Sequence, residues 1–232
     1  MRRVSFTYEY PRAALAVDCV VFGVASRRLE LLLIERGLEP FKGSWALPGG
    51  FVRVDETLDE AAARELVEEA GVRVSYLEQL YSFGAIDRDP RERVISIAYY
   101  ALVESSAHVP RAETDARRAS WFPVDALPTL AFDHAEIVKV ALERLRSKVR
   151  YRPIGFGLLP ERFTLTQLQY VYEAILGRSL DKRNFRKKIL SFGFVEATQK
   201  KESNVPHRAA ELYRFNKAGY ERWAASGYDF EV

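Results

Sequence analysis

This sequence is nearly without sulfur: it holds one cysteine, Cys19, and one methionine in 232 residues. A lone cysteine excludes an intrachain disulfide, and the cytoplasm is the compartment expected for such a chain. Long apolar runs are missing too. No stretch approaches the roughly 20 residues needed to span a bilayer, and the opening MRRVSFTYEYPR has no apolar signal-peptide core, so no membrane partner is expected. Net charge is scarce as well, at +3, in a composition of 48% apolar and 29% charged residues that is ordinary for a globular protein. That small sum hides a division. Residues 1–150 carry 21 Lys and Arg against 23 Asp and Glu, a net of −2, whereas residues 151–232 carry 14 against 9, a net of +5. The length suits two domains better than one, and the cationic one is where a polyanion would bind.

What the chain does have is an ordered cluster of acids between Gly50 and Val72. Thr57 and Glu60 are spaced as a capping box and Gly71 suits the position just past a helix, so the spacing predicts a helix of about four turns between them. At roughly 100° per residue, Ala63, Leu66, Val67 and Ala70 form its apolar stripe, while Glu65, Glu68 and Glu69 gather on the other side. Like charges at this spacing repel unless cations lie among them. Their hard oxygens suit Mg²⁺ or Mn²⁺, and Leu47-Pro48-Gly49-Gly50 just upstream supplies glycines that let backbone carbonyls approach a cation or a diphosphate. Arg64 is spaced to pair with Glu60 and Glu68. For three glutamates alone, a solvated acidic helix face is the plainer reading.

The full spacing is Gly50, five residues, Glu56, seven residues, then Arg64-Glu65-Leu66-Val67-Glu68-Glu69-Ala70-Gly71-Val72. It resembles the Nudix box, G-x(5)-E-x(7)-R-E-U-x-E-E-x-G-U with U apolar, and all nine fixed positions are filled. The resemblance implies an α/β fold, the Nudix α/β/α sandwich around a mixed sheet. It implies metal ligands at Glu65, Glu68, Glu69 and the Gly50 carbonyl, and the same three glutamates as catalytic groups that activate water against a nucleoside diphosphate linked to another group. Glu56 and Arg64 would tie loop to helix. Metals bridging phosphate oxygens neutralise developing charge and lower the pKa of a bound water. Binding without hydrolysis needs much the same residues.

Around the box, Ala14 to Val24 and Leu29 to Glu35 read as neighbouring buried strands about a turn at 25–28, and Val74 to Phe83 and Val94 to Val103 as a strand pair. The connection from Gly84 to Arg93 falls where Nudix proteins bring a loop near the substrate. Its Arg88, Arg91 and Arg93 are candidate effector ligands through bidentate contacts to phosphate; a solvated hairpin tip with local ion pairs explains them as well. Glu104 to Ser120 is polar, and Glu113 lies where several Nudix pyrophosphatases carry a further carboxylate, the alternative being a plain loop acid. Trp121 to Val124 starts a last strand or forms its end, and Trp45 is expected in the core, the alternative being a ligand-stacking role. Leu130-Ala131-Phe132-Asp133-His134 leads into a helix, Ala135 to Lys148, with Asp133 its candidate N-cap and His134 a structural partner near that cap. Pro and Gly between Arg150 and Pro160 mark a boundary, which gives units 1–150 and 151–232.

The basic third opens on a second capping box, Thr164 to Gln167, and a helix ended by Gly177. Asp181 then caps a cationic helix, Lys182 to Leu190, anchored by Phe185, Ile189 and Leu190, which leaves Lys182, Arg183, Asn184, Arg186 and Lys187 facing outward. Two helices about a tight turn make a helix-turn-helix. Phe194 to Gln199 and Ala210 to Phe215 read as strands around a basic tip with Lys200, Lys201 and Arg208, and a helix near Lys217 to Ala225 follows. This is the pattern of a winged helix, whose recognition helix enters the major groove of double-stranded DNA while the wing touches the backbone. Those eight residues are the candidate DNA contacts.

LAFDH, LLPERFTLTQLQYVYEAILGRSLDKRNFRKKIL and LYRF are similar to the Nudix-related transcriptional regulators, the NrtR type and its sugar-responsive relatives, from about Ala14 to Phe215. The family's Arg-Pro-Ala in the wing stands here as Arg208-Ala209-Ala210. The resemblance implies a homodimer. Its Nudix domain (1–150) would bind ADP-ribose or a related nucleotide sugar, and its winged helix-turn-helix (151–232) a palindromic operator controlling NAD metabolism. Two rivals stay open: a Mg²⁺-dependent ADP-ribose pyrophosphatase whose C-terminal domain only dimerises, and a regulator that answers to a pentose such as arabinose. The complete box also leaves room for slow hydrolysis of ADP-ribose alongside regulation.

Overall fold

The computed structural model describes residues 9–74, 76–105, 116–203 and 208–225. Strand β1 (Ala14–Ala25) is buried without interruption from Ala16 to Gly23, the signature of a central strand covered on both faces. It pairs antiparallel with β2 (Arg28–Arg36) and β4 (Gly49–Phe51), and parallel with β6 (Val94–Leu102). β6 in turn pairs with β5 (Tyr76–Phe83), and β2 with β3 (Trp45–Ala46) and β7 (Ala116–Pro123). The product is a seven-stranded mixed sheet in the order β3-β2-β1-β6-β5, with β4 beside β1 and β7 beside β2. Ser26 and Arg27, between β1 and β2, sit at φ 49° and 63°, as a tight hairpin matched to strand twist requires. Of the two places expected for Trp121, strand start or strand end, it takes the second: β7 pairs along β2 from Ala116 opposite Arg36 to Pro123 opposite Glu30.

Alternation along the strands divides the core into two layers. Val17, Cys19, Val21, Leu32, Ile34 and Tyr99 pack with α1 (Leu58–Ala70), while Val20, Phe22, Leu31, Leu33 and Tyr100 pack with α2 (His134–Tyr151), which makes an α/β/α sandwich. α1 starts on the Thr57/Glu60 capping box and stops at Gly71, φ 67°. Its buried arc is rotated from the predicted stripe: Ala61, Ala62, Glu65, Leu66, Glu69 and Ala70 face inward, Ala63 is exposed and Val67 half-buried. Small alanines let this arc approach the sheet, and two of the three glutamates point inward with it. Asp133 stands at the N-cap of α2 but makes no side-chain cap bond, since its carboxylate is held elsewhere.

After one 3₁₀ turn (Ile154–Leu158) come α3 (Leu165–Leu176), α4 (Lys182–Ser191), the antiparallel wing strands β8 (Val195–Lys201) and β9 (Glu211–Phe215), and α5 (Lys217–Ala225). The Thr164/Gln167 box and Gly177, φ 67°, bound α3 as the spacing predicts. Phe185 and Ile189 anchor α4, but Leu190 is 42% exposed, five residues and some 140° round the helix from Phe185. Leu168, Tyr172, Ile175 and Phe194 of this half belong to the same apolar cluster as Phe22 and Ile137 of the first, so one core runs through both. No helix among the described residues is long and apolar enough to cross a membrane.

Candidate ligand cleft and nucleic-acid interface

Gly49 and Gly50 of β4 lie so close to β1 and α1 that side chains are excluded. A β-carbon at Gly49 would overlap the Val17 carbonyl, and one at Gly50 the Glu65 carboxylate. That closeness lets the Gly49 N–H donate to Glu69 Oε2 at 2.8 Å. Arg64 is the hub of the remaining acids. Its Nε and Nη2 donate to Glu56 at 2.8 and 2.6 Å, its Nη1 to Glu65 at 2.6 Å and to Glu68 at 3.0 Å, and Nη2 also reaches the Phe51 carbonyl at 3.2 Å. Glu60, the other expected partner, is spent on the Thr57 cap. Arg53 adds a longer contact of 3.3 Å to Glu68. The Arg64 fork holds Glu56 down to about 2. Burial pushes Glu65 above the usual carboxylate range even against Arg64.

Three carboxylates are hard oxygen donors, and their chemistry fits Mg²⁺ or Mn²⁺; Gly50, the fourth expected ligand, stands opposite Val17 in the β1–β4 ladder. Here Arg64 and Arg53 supply the positive charge, and among the described residues no three acids, histidines or cysteines already converge on one point suited to a metal.

Over these groups a cleft opens in two lobes. The larger, about 460 Å³, is lined by Glu65, Glu68, Glu69, Arg53 and the segment 37–39; the smaller, about 60 Å³, reaches between Asp18, Arg88, Phe132 and His134. Arg36, Gly49, Gly50, Phe51 and Arg91 line both, so the lobes adjoin. Arg36 is a residue the sequence did not single out. Its Nε donates to the Pro40 carbonyl at 2.8 Å, its guanidinium covers the Phe132 ring at 4.8 Å, and burial together with nearby Arg91 lowers its pKa. The only available signal was a cation closing a strand otherwise buried from Leu31 to Ile34.

The arginine loop divides. Arg88 is 8% exposed and committed: it donates to both oxygens of Asp133, at 2.9 and 2.7 Å, and to Asp18 at 3.0 Å. Arg91 pairs with Asp89 at 2.7 Å and lies over Phe51 at 5.3 Å. Arg93 turns to the Ala85 carbonyl at 2.9 Å and lines neither lobe. Glu113 lies outside the described residues. Asp18 also accepts from Ser96 Oγ at 2.5 Å and faces His134 Nε2 at 3.4 Å, while His134 Nδ1 accepts from the Leu47 N–H at 2.9 Å. Burial works to raise the Asp18 carboxyl, but His134, Arg88 and Ser96 together hold it well below the ordinary range.

In the basic half, Asp181 caps α4 by accepting from the Asn184 N–H at 2.8 Å, and Lys182, Arg183, Asn184 and Lys187 are exposed. Arg186 departs from the outward position read for it. It is half-buried, its Nη2 donates to Thr166 Oγ1 of α3 at 2.8 Å, and its Nε is buried with no hydrogen-bond partner. Position 186 follows Phe185 and precedes Ile189 by one turn, which puts it on the flank of the buried face. Lys200, Lys201 and Arg208 are exposed in the wing, whose β8 packs against α4.

Residues 12–141 match the NUDIX domain and residues 155–215 the NrtR DNA-binding winged helix domain. The ADPR responsive transcriptional repressor NtrR of Acinetobacter baylyi is 39% identical over 217 residues, 92% of this chain and 86% of that one. This chain belongs to the NrtR type of Nudix-related transcriptional regulators. The crystal structure of Shewanella oneidensis NrtR complexed with a 27mer DNA superposes with a TM-score of 0.77 at 32% identity, over 93% of this chain and 97% of that one. The NUDIX domain of the same protein complexed with ADP ribose gives 0.54 at 35% identity, over 59% of this chain and 90% of that one. The ADP-ribose pyrophosphatase of Methanocaldococcus jannaschii is 42% identical over 130 residues, 56% of this chain and 73% of that one. The glycine pair offers a direct check on this NrtR-type cleft. Gly49→Ala is expected to cost about 1–3 kcal/mol by overpacking β4 on β1, read as a lower urea midpoint; an unchanged midpoint would mean that the β4 backbone has room to move.

Proposed function

We propose that this chain is a DNA-binding transcriptional repressor, homodimeric, whose cleft takes ADP-ribose and whose winged helices release operator DNA when the cleft fills. The observation that carries the reading is the coexistence, in one continuous core, of a cleft edged by arginines and carboxylates with an exposed cationic helix and wing. Similarity to an ADPR-responsive repressor over 92% of the chain supports the pairing of the two. Arg36 and Arg91, at the junction of the lobes, suit the diphosphate by bidentate contact, which favours a phosphate-bearing ligand over a neutral pentose. Lys182, Arg183, Asn184 and Lys187 of α4 and Lys200, Lys201 and Arg208 of the wing supply the DNA contacts. A ligand moves such an equilibrium only by its difference in affinity for the two arrangements.

Fluorescence anisotropy with the DNA upstream of its own gene tests the proposal. Specific binding in the range of roughly 10⁻⁸ to 10⁻¹¹ M, weakened by ADP-ribose, is expected. Binding confined to the nonspecific range of about 10⁻⁴ to 10⁻⁶ M, indifferent to ADP-ribose, sinks it. Lys187→Ala is expected to weaken binding to any DNA sequence and to reduce the slope of log K against log salt by about one; an unchanged slope removes Lys187 from the phosphate contacts.

The complete box and the 42% identity to a pyrophosphatase favour hydrolysis as a second role of the same cleft. A bound Mg²⁺ supplies charge neutralisation at the diphosphate and an acidified water. Glu65, Glu68 and Glu69 are the residues to hold it, Gly50 leaves the diphosphate room at the backbone, and Arg64 keeps Glu56 and the helix in register. AMP formation that needs Mg²⁺ and stops on Glu69→Gln, with DNA binding retained, is the expected signature.

A further inference from the structure

Residues 130–134, LAFDH, lie between the cleft and the winged helix. The Ala131 N–H bonds to the Trp45 carbonyl at 2.8 Å and Leu130 bridges the same residue, which pins the segment to β3. Phe132 then takes φ 53°, in the left-handed region that a β-carbon disfavours. Its ring lines the small lobe, with Phe41 at 4.8 Å, His134 at 5.3 Å and the Arg36 guanidinium over it. Asp133 follows at the N-cap of α2, chemically suited to cap it, yet both its oxygens go to Arg88 of the cleft. α2 carries any disturbance onward. Its apolar face, Ile137, Val138, Ala141, Leu145 and Val149, shares a core with Leu168, Tyr172 and Ile175 of α3, and Arg146 donates to the Ile175 carbonyl at 3.2 Å.

We propose that residues 130–134 and Arg88 form the joint through which an occupied cleft changes the seating of α2 and, with it, the spacing of the winged helices. The proposal rests on the reading of ADP-ribose as the ligand. The diphosphate brings negative charge to the lobe that Arg88 lines, where a phosphate oxygen competes with Asp133 for the same guanidinium. Asp133, released, is free to cap α2. Phe132 is held at a disfavoured φ by packing on both sides, and such strain collects at elements that have two arrangements. Filling the lobe changes one of those sides. Both events act on the first turn of a helix that packs on both halves.

The test uses the full-length protein, the DNA upstream of its gene, and ADP-ribose. DNA affinity is measured by anisotropy with and without saturating ADP-ribose, and ADP-ribose affinity by calorimetry. In the natural protein ADP-ribose weakens DNA binding by roughly tenfold or more, within the usual range of allosteric coupling. In Asp133→Asn, which removes the charge and keeps a capping side chain, both ligands bind but the response falls below about twofold. A full response in that variant overturns the joint. Should the variant not fold, amide exchange on the natural protein decides: ADP-ribose changes exchange at residues 133–137 and in α3, and unaltered exchange there beside normal DNA release overturns the proposal. Calorimetry that shows no ADP-ribose binding overturns the ligand reading and this inference with it, and is told apart from the other outcomes by that result alone.

Discussion

Arg88→Ala is expected to lower the stability of the fold by about 3–5 kcal/mol, the cost of breaking a buried ion pair from one side, read as a drop in the urea midpoint at neutral pH. Asp18 is 7% exposed and Arg88 8%, and the guanidinium bridges Asp18 to Asp133. Without it Asp18 keeps Ser96 and His134, at a position only 7% exposed. The same network has a pH signature. The folded Asp18 carboxyl is depressed below its unfolded value of about 3.9. Its contribution is therefore complete above about pH 4 and is lost as pH falls through the lower, folded value. Asp18→Asn should flatten the acid limb of the stability curve. An Arg88→Ala protein with an unshifted midpoint would show that relaxation or water satisfies Asp18, and the network would then carry little of the fold.

The parts of this molecule that could be read from its sequence are those fixed by neighbours in the chain. Both capping boxes, the left-handed Gly71 and Gly177, the buried β1–β2 hairpin and the two wing strands are written within a turn or two of their own positions. What escaped is set at a distance. The rotation of α1 depends on Ala61 and Ala62 finding the sheet and on Arg64 and the Gly49 N–H receiving inward glutamates, which the hydrophobicity of the helix alone ranks wrongly. Asp133 looks like a cap until Arg88, 45 residues earlier, takes its carboxylate, and Arg88 looks like a free ligand until Asp18, 70 residues away, does the same to it. Arg36 enters the cleft only because β2 ends beside the glycine loop. Arg186 reads as one more cation on a basic helix, and its turn toward Thr166 follows from how α4 crosses α3. Asp133, Arg88 and Arg186 are all polar groups whose partners lie on another element.

Phe156→Ala is expected to cost about 3–5 kcal/mol, the usual range for deleting a buried aromatic ring, and to separate the unfolding of the two halves. The 3₁₀ turn that carries Phe156 packs on β1 and β6 from one side and on α3 from the other. The ring itself meets Phe215 at 4.5 Å, Phe163 at 5.6 Å and Phe194 at 6.3 Å. It thus closes the winged-helix core against the end of the Nudix sheet. In the natural protein, tryptophan emission and far-UV circular dichroism should report one coincident urea transition, since no boundary interrupts the apolar cluster. In the variant the halves keep α2 against α3 and the stacking of Arg27 on Tyr170 at 3.8 Å, an exposed contact worth about 0.5–1 kcal/mol, and the two probes should diverge. Coincident curves with a shift below about 1 kcal/mol would place the mechanical link elsewhere. The point bears on regulation, because a cleft can set the spacing of two DNA-reading helices only if movement at its edge is transmitted through packed side chains and not absorbed by a loose linker. A Phe156→Ala protein that still binds ADP-ribose and DNA but no longer couples them would locate that transmission in the shared core.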